Sequence, residues 1–270
     1  MFRQPCFRLA LFLFACFCVL LPRAEASPAC QPGMNAALDI FGNFYFLQDD
    51  GKPGGIDVDV FNELGRRLSC PAQFQTESVI RVMRREELGE VDVSAHKFDN
   101  PQRSRIAWML PYLREVVVVL VHKEIPAQGA AGLLADSHVT LGVGTGWRYG
   151  KPVYDNFVEQ MRARRQVNEA ADTDELFRLL RTNRIQMLIT TSVVYRRYLT
   201  ERDLTQYRIE EWDKTTPDPY LNLMLSRKTV DSALTQRFDN ALRDMRKDGT
   251  LRRIAEKYAA PDDIQRMLAP

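Results

Sequence analysis

The sequence predicts an α/β fold with largely parallel sheets, divided into two lobes joined by two crossings. Three observations lead there. Strand-like and helix-like segments alternate along most of the chain, the pattern of sheets flanked by helices. The alternation restarts near Val139 after a first series has ended. Two turn-rich breaks, near Lys123–Gly132 and Asp213–Pro219, lie far apart, as they would if one lobe were inserted within another. There is no internal repeat and no low-complexity tract.

Taken in order, "MNAALDIF" (Met34–Phe41) alternates toward a strand. Asp57–Leu68 reads as a helix, with Val60, Phe61, Leu64 and Leu68 on one face. "QFQT" is a short strand, Val79–Leu88 a helix and "VDVSA" (Val91–Ala95) a strand. Glu115–His122, "EVVVVLVH", is apolar and β-branched, which suits a buried strand. The second series opens with "VTLGVGTG" (Val139–Gly146), a strand running into a glycine-rich turn, and a helix over Pro152–Arg164. Asp172 with Glu175 forms a capping-box pattern ahead of Leu176, Leu179 and Leu180. "IQMLIT" (Ile185–Thr190), "YRIEEW" ending at Trp212, and "YLNLMLS" (Tyr220–Ser226) are strands. A long helix, Thr229–Lys247, ends at Gly249 as its C-cap, and a shorter one covers Leu251–Tyr258.

The first 26 residues stand apart. Arg3 and Arg8 precede an apolar run, Leu9–Leu21, and Ala24-Glu25-Ala26 is a small-x-small cleavage site. This is the pattern of a secretory signal peptide. The run of 13 residues falls short of the roughly 20 a membrane span needs. The 37 basic residues less three arginines, and the 35 acidic less one glutamate, leave 34 of each in residues 27–270. That balance gives no electrostatic footprint for nucleic acid. Cys30 and Cys70 are the two cysteines left, an even number in an exported chain, and read as one disulfide. Closing that loop is worth roughly 4 kcal/mol in the chain-entropy model. A metal site lacks its other ligands, since His96, His122 and His138 show no ligand spacing with either cysteine.

"GGIDVDVFNELGRRL" (Gly54–Leu68) places two aspartates one residue apart at a helix start. Asp57 is expected to be the N-cap, accepting backbone N–H bonds, with Asp59 in the first turn where the helix dipole favours an anion. A metal pair needs more oxygen ligands nearby, and a catalytic pair needs a placed partner. The sequence shows neither.

The same stretch resembles the signature of the family 3 bacterial extracellular solute-binding proteins. Gly55, Ile56, Asp57, Val58, Asp59, Val60, Leu64, Gly65 and Leu68 carry the resemblance. "PQRSRIAWMLPYLREVVVVLV", "VTLGVGTGWRYG", "LRTNRIQMLITTSVVYRRYL" and "FDNALRDMRKDGTLRRIAEKY" extend it, in order, over nearly the whole chain after the leader. The resemblance implies a two-lobed, type II periplasmic binding fold, each lobe a mixed sheet flanked by helices, with two hinge crossings. The expected division is a leader over 1–26, lobe 1 over 27–122 and 216–270, and lobe 2 over 123–215.

It also implies where a ligand sits. Arg103 matches the family arginine that binds a ligand carboxylate, a task suited to a guanidinium fork; the alternative is a surface arginine beside Arg105. Thr145, after Gly144, matches a turn that takes the other side of a carboxylate. Trp147 and Tyr149 line the cleft or cover that turn. Phe44, Tyr45 and Phe46 lie where relatives place a stacking aromatic, with Phe44 and Phe46 as the candidates. Arg81 matches an arginine of one subgroup, although Val79 and Ile80 stand where a tryptophan usually precedes it. His96 sits in a segment about two residues longer than the family pattern, so either a ligand contact or a turn histidine fits there. In the second lobe, Gln186 and Thr191 stand where amino-acid binders usually carry two acids. A buried ammonium without a carboxylate is costly, which points away from a standard α-amino acid ligand. Thr191 remains able to make a neutral hydrogen bond.

The function implied is a periplasmic solute-binding protein that hands a small polar or carboxylate-bearing ligand to an inner-membrane ABC importer. The expected form is a monomer without cofactor or metal. The alternative is a sensing module of the same fold, working through a membrane receptor. A cyclohexadienyl dehydratase-like enzyme would want a glutamate near Thr190–Thr191, and "TTSVVY" offers none, so no catalysis is expected.

Overall fold

Two five-stranded sheets carry the chain in the computed structural model, which describes Cys30 and residues 33–269. The expected leader lies outside the described residues. The chain begins with β1 (Met34–Leu38), the short β2 (Phe46–Leu47) and β3 (Pro53–Gly54), α1 (Ile56–Leu68), β4 (Ala72–Thr76) and α2 (Val79–Leu88). Then come β5 (Val93–Phe98), α3 (Pro101–Ile106), β6 (Ala107–Arg114), β7 (Val117–His122) and α4 (Gly129–Ala135). The middle of the chain supplies β8 (Leu141–Gly144), α5 (Pro152–Ala163), β9 (Val167–Ala170), α6 (Thr173–Arg181), β10 (Met187–Thr191) and α7 (Ser192–Tyr198). It ends with α8 (Glu201–Leu204), β11 (Tyr207–Glu210), β12 (Tyr220–Ser226), α9 (Ser232–Lys247), α10 (Thr250–Ala255) and α11 (Pro261–Met267).

The first sheet has the order β4-β1-β5-β12-β6 and the second β11-β7-β10-β8-β9. Both are mixed. In the first, β1 pairs parallel with β4 and β5, while β12 runs antiparallel to β5 and β6. In the second, β8 pairs parallel with β9 and β10, while β7 runs antiparallel to β10 and β11. The sheets are largely parallel, as expected, with one strand in each, β12 or β7, running against the other four. The antiparallel strands are those next to the crossings, where the chain leaves one sheet or returns to it.

The crossings run from β6 to β7 and from β11 to β12. The apolar run at Val117–His122 belongs wholly to the second sheet. The first crossing thus falls at Glu115–Val116, not after His122 as the expected division had it. A run of valines announces a buried strand without saying which sheet will bury it. The Glu115 N–H donates to Pro219 O at 3.0 Å, so the two crossings are tied together by a backbone hydrogen bond. β12 returns from the second crossing into the middle of the first sheet, with six of its seven residues buried. The first lobe is therefore completed only by the last part of the chain.

Local signals hold where the sequence was explicit. The Asp172 carboxylate accepts the Glu175 N–H at 2.9 Å, and the Glu175 carboxylate takes the Ala171 N–H at 3.0 Å. β6 contains Pro111, which is tolerated because β6 is the edge strand of its sheet. Cys30 meets Cys70 just past the end of α1, their Cα atoms 4.9 Å apart, within the span of a disulfide. Among the described residues no helix is long and apolar enough to cross a membrane.

The lobes are in contact. The Thr173 hydroxyl donates to Ile40 O at 3.2 Å from the opposite lobe. Gly42, at φ +53°, lies so close to α7 that a Cβ would fall 2.5 Å from Val194 Cα. Any larger residue at 42 would push the lobes apart.

Candidate functional site

A cavity lies between the lobes at the carboxyl ends of the parallel strands. The first lobe contributes Asp39 and Phe41 after β1, His96, Lys97 and Phe98 on β5, and Arg103 on α3. The second contributes Trp147, Arg148 and Tyr149 after β8, and Ile189, Thr190 and Thr191 on β10. It leaves about 30 Å³ for the centres of water-sized spheres, where one water needs about 10–15 Å³. The lobes therefore stand close around it.

Its first-lobe wall is built on a bulge. His96 has φ +47°, and the pairing of β5 with β12 shifts register opposite it, between Asn222 and Met224. A regular strand sends successive side chains to opposite faces. The bulge breaks that alternation, so His96 and Lys97 both reach Asp39. His96 is gripped from two sides, with Nδ1 2.6 Å from Asp57 Oδ2 and Nε2 3.0 Å from Asp39 Oδ1. The Tyr112 hydroxyl donates to the other Asp57 oxygen at 2.5 Å. Lys97 Nζ donates to Asp39. Burial works against ionisation of the Asp39 carboxyl, but the Lys97 and His96 charges hold it well below the usual range. Burial and Lys97 work against the His96 cation, yet Asp39 and the hydrogen bonds to both aspartates raise its pKa.

The expected N-cap role of Asp57 is thus corrected. Gly55 takes the cap position of α1, without a side-chain cap bond, and Asp57 is fully buried. Its carboxylate turns inward because Tyr112 and His96 offer donors there. Asp59 does sit in the first turn, where Lys257 Nζ (2.9 Å) and Tyr258 Oη (3.1 Å) donate to it.

Arg103 is 5% exposed and donates from Nη1 to Phe98 O at 2.6 Å. Asn100 caps α3 and fixes its start, accepting from the Gln102 and Arg103 N–H groups. Burial lowers the Arg103 pKa, but a guanidinium stays charged in proteins. Among the described residues, no carboxylate forms an ion pair with it. Across the cavity, the Thr190 and Tyr149 hydroxyls are buried without a hydrogen-bond partner among the described residues. Thr191 stands at the N-cap of α7, yet its hydroxyl makes no cap bond. Phe41 stacks on His96 with centroids 5.0 Å apart, and the Trp147 ring meets Phe41 edge-on at 5.3 Å. That indole folds over Gly144, where a Cβ would fall 2.1 Å from Trp147 Cε2.

Of the residues singled out from sequence, Arg103, His96 and Thr191 come together at this cavity, and Trp147 and Tyr149 line it too. Four do not line it. Phe44 is in the first-lobe core, and Phe46 packs against Tyr258 under the Arg197 guanidinium. Arg81 is exposed on α2. Thr145 gives its N–H and hydroxyl to Ala170 O, at 2.9 and 3.2 Å. From this segment the aromatic that reaches the cavity is Phe41, three residues before Phe44, because the turn at Gly42 carries the later aromatics away. Sequence reasoning missed Asp39, Phe41, Lys97 and Thr190. A signal existed for Asp39, an acid set between the apolar residues of "LDIF". "TTSVVY" supplies no glutamate to the cleft, but one approaches from a distant part of the chain. Glu115, from the first crossing, lies against the Thr191 hydroxyl. Burial raises its carboxyl well above the usual range, and it is not among the residues lining the cavity.

Two sheets, two crossings and a cleft whose polar groups come from both sides define a two-lobed binding protein of the periplasmic solute-binding class. The chain belongs to family 3 of the bacterial extracellular solute-binding proteins, whose model matches residues 37–261. No curated protein matches it in sequence. Among solved structures, it is similar to an ancestral arginine-binding protein bound to arginine, with TM-score 0.72 and 20% identity over 84% of this chain and 98% of that one. It is similar to the substrate-binding protein of an ABC uptake transporter from Streptococcus pneumoniae with bound histidine, at TM-score 0.71 and 18% identity over 86% and 94%. A histidine kinase sensor domain matches at TM-score 0.69 and 16% identity over 88% and 98%. At these identities the likeness is one of fold.

Proposed function

We propose that this protein is a periplasmic solute-binding protein that captures a small carboxylate-bearing ligand between its lobes and delivers it to an inner-membrane ABC importer. One observation carries the proposal. Arg103, a buried guanidinium without a carboxylate partner among the described residues, shares a cavity with the buried, unpartnered Thr190 hydroxyl of the other lobe, next to Thr191. A carboxylate on Arg103 whose far side reaches the threonines touches both lobes. Contacts made only in the closed form are what shift the open–closed balance. His96 is assigned here a supporting role, holding Asp39 and the floor under Phe41. No cofactor and no catalysis are invoked.

Thermal-shift screening of residues 27–270 against small mono- and dicarboxylates tests this. Arg103→Ala is expected to lose roughly 1.5–3 kcal/mol of binding to whichever acid responds, the worth of a charge-assisted hydrogen bond. Unchanged affinity in a folded variant removes Arg103 from the site. Common α-amino acids are expected to respond weakly, and a micromolar response to one of them overturns the inference from Thr191. Export is checked by the mass of the secreted protein, expected to begin at Ser27 and to carry Cys30 joined to Cys70.

A sensing module is the second reading, favoured by the likeness to a kinase sensor domain. The closed, ligand-loaded protein would then bind a membrane receptor and not a permease, which co-purification from membranes distinguishes.

A further inference from the structure

We propose that Lys97 is an internal counter-cation that occupies Asp39 and so keeps ammonium-bearing ligands out of the cleft. This deepens the carboxylate reading of the same site and rests on it.

Asp39 is the only carboxylate among the residues lining the cavity, and it is 3% exposed. Left free, it would be the natural partner for a ligand cation. It is not free: Lys97 donates to Oδ1, and His96 Nε2 lies 3.0 Å from the same oxygen. Lys97 is itself buried, and Asp39 is the carboxylate with which it pairs. The bulge at His96 is what brings the ammonium there. The other acids nearby, Asp57, Glu86 and Glu115, do not line the cavity, and Glu115 lies behind it against Thr191. Asp57 holds His96 and Tyr112, and Glu86 accepts from Ser94 Oγ at 2.8 Å.

Counting charge makes the consequence plain. With His96 protonated between its two aspartates, the buried groups Asp39, Asp57, His96 and Lys97 sum to zero; Arg103 adds one buried positive charge, and Arg148, which also lines the cavity, is exposed. A carboxylate completes that set. A ligand ammonium would instead meet two buried cations, Lys97 and Arg103, with the exposed Arg148 beside them, and no open carboxylate, and burying it unpaired is costly. Without Lys97 the same groups, Arg103 included, sum to zero. The cleft would then present one open cation site and one open anion site, the complement of a zwitterion.

The test uses matched probes that differ only by an ammonium: glycine, β-alanine, 4-aminobutyrate and 5-aminovalerate against acetate, propionate, butyrate and valerate. The series spans chain lengths, so the separation of the two subsites need not be known. Butylamine, which has no carboxylate, is the remaining probe. The wild type is expected to ignore the amino compounds. Lys97→Met is expected to bind at least one of them ten times or more tighter than the wild type, without a matching gain for its unaminated partner. Asp39→Asn/Lys97→Met is expected to lose that gain. Lys97→Gln, which keeps a hydrogen bond to Asp39 without the charge, guards against misfolding and is expected to shift the same way. The proposal is overturned if the wild type already binds the amino series as tightly, if the folded variants gain nothing, or if the gain survives the double substitution. A gain for butylamine alone, with no response to any carboxylate, upholds the role of Lys97 and sinks the Arg103 reading.

Discussion

Replacing Asp57 by alanine is expected to cost about 3–5 kcal/mol of folding stability, the usual penalty for removing one partner of a buried charged pair. Asp57 is 0% exposed and satisfies two buried groups at once, the His96 imidazole and the Tyr112 hydroxyl. Alanine leaves both without their acceptor in a place water does not reach. The position also discriminates between two roles. Loss of a helix N-cap costs about 1 kcal/mol, so urea denaturation of the variant separates a cap from a buried acceptor by a factor of three or more. A loss near 1 kcal/mol would return Asp57 to the helix end. Asp57→Asn, which still offers one oxygen to Tyr112, is expected to fall between the two.

Glu86→Gln is expected to stabilise the protein at pH 8 by up to about 3 kcal/mol and to leave it unchanged near pH 4. Glu86 on α2 is 1% exposed, accepts one hydrogen bond from Ser94, and has its other oxygen unpartnered. Burial pushes its carboxyl up from 4.5 to about 7, against the pull of Ser94, Lys97 and Arg103. The unfolded chain ionises above 4.5 while the folded chain holds its proton until about 7. Wild-type stability therefore falls as pH rises across that window and is level above it. A rise of that size corresponds to about 3 kcal/mol at 1.36 kcal/mol per unit. Glutamine keeps an acceptor for Ser94 and has nothing to ionise. Denaturation of both proteins at pH 4, 6 and 8 reads the difference directly, and a gap that does not widen with pH shows that Glu86 ionises as freely folded as unfolded.

Both residues illustrate what a linear pattern carries. Asp57 stands one position inside a helix start, where the local rule for caps is strong, and the rule fails because Tyr112, 55 positions away, arrives with a better donor. Glu86 reads as one of several charges along "RVMRREEL", and helical spacing alone does not tell that it faces Ser94. By contrast β12 and α2 lie where their sequence patterns put them, at Tyr220–Ser226 and Val79–Leu88. Strong alternation or a clear apolar face leaves little choice to tertiary contacts. α3 and β6 are not legible by periodicity, because Pro101 and Pro111 interrupt it. One proline opens a helix and the other sits on an edge strand, so neither breaks its element.

The sequence by itself determined the α/β class, the family, the number of crossings though not the place of the first, and five residues that line the cavity, Arg103, His96, Thr191, Trp147 and Tyr149. These follow from periodicity, from turn chemistry and from motifs whose residues are neighbours in the chain. Only the tertiary structure decided which sheet takes the valine run at Val117–Val121, which aromatic faces the cleft, and that Lys97 closes on Asp39. Each of these depends on groups far apart in sequence meeting in a space that excludes water. There an unpaired charge is costly enough to override the local preference of the segment that carries it.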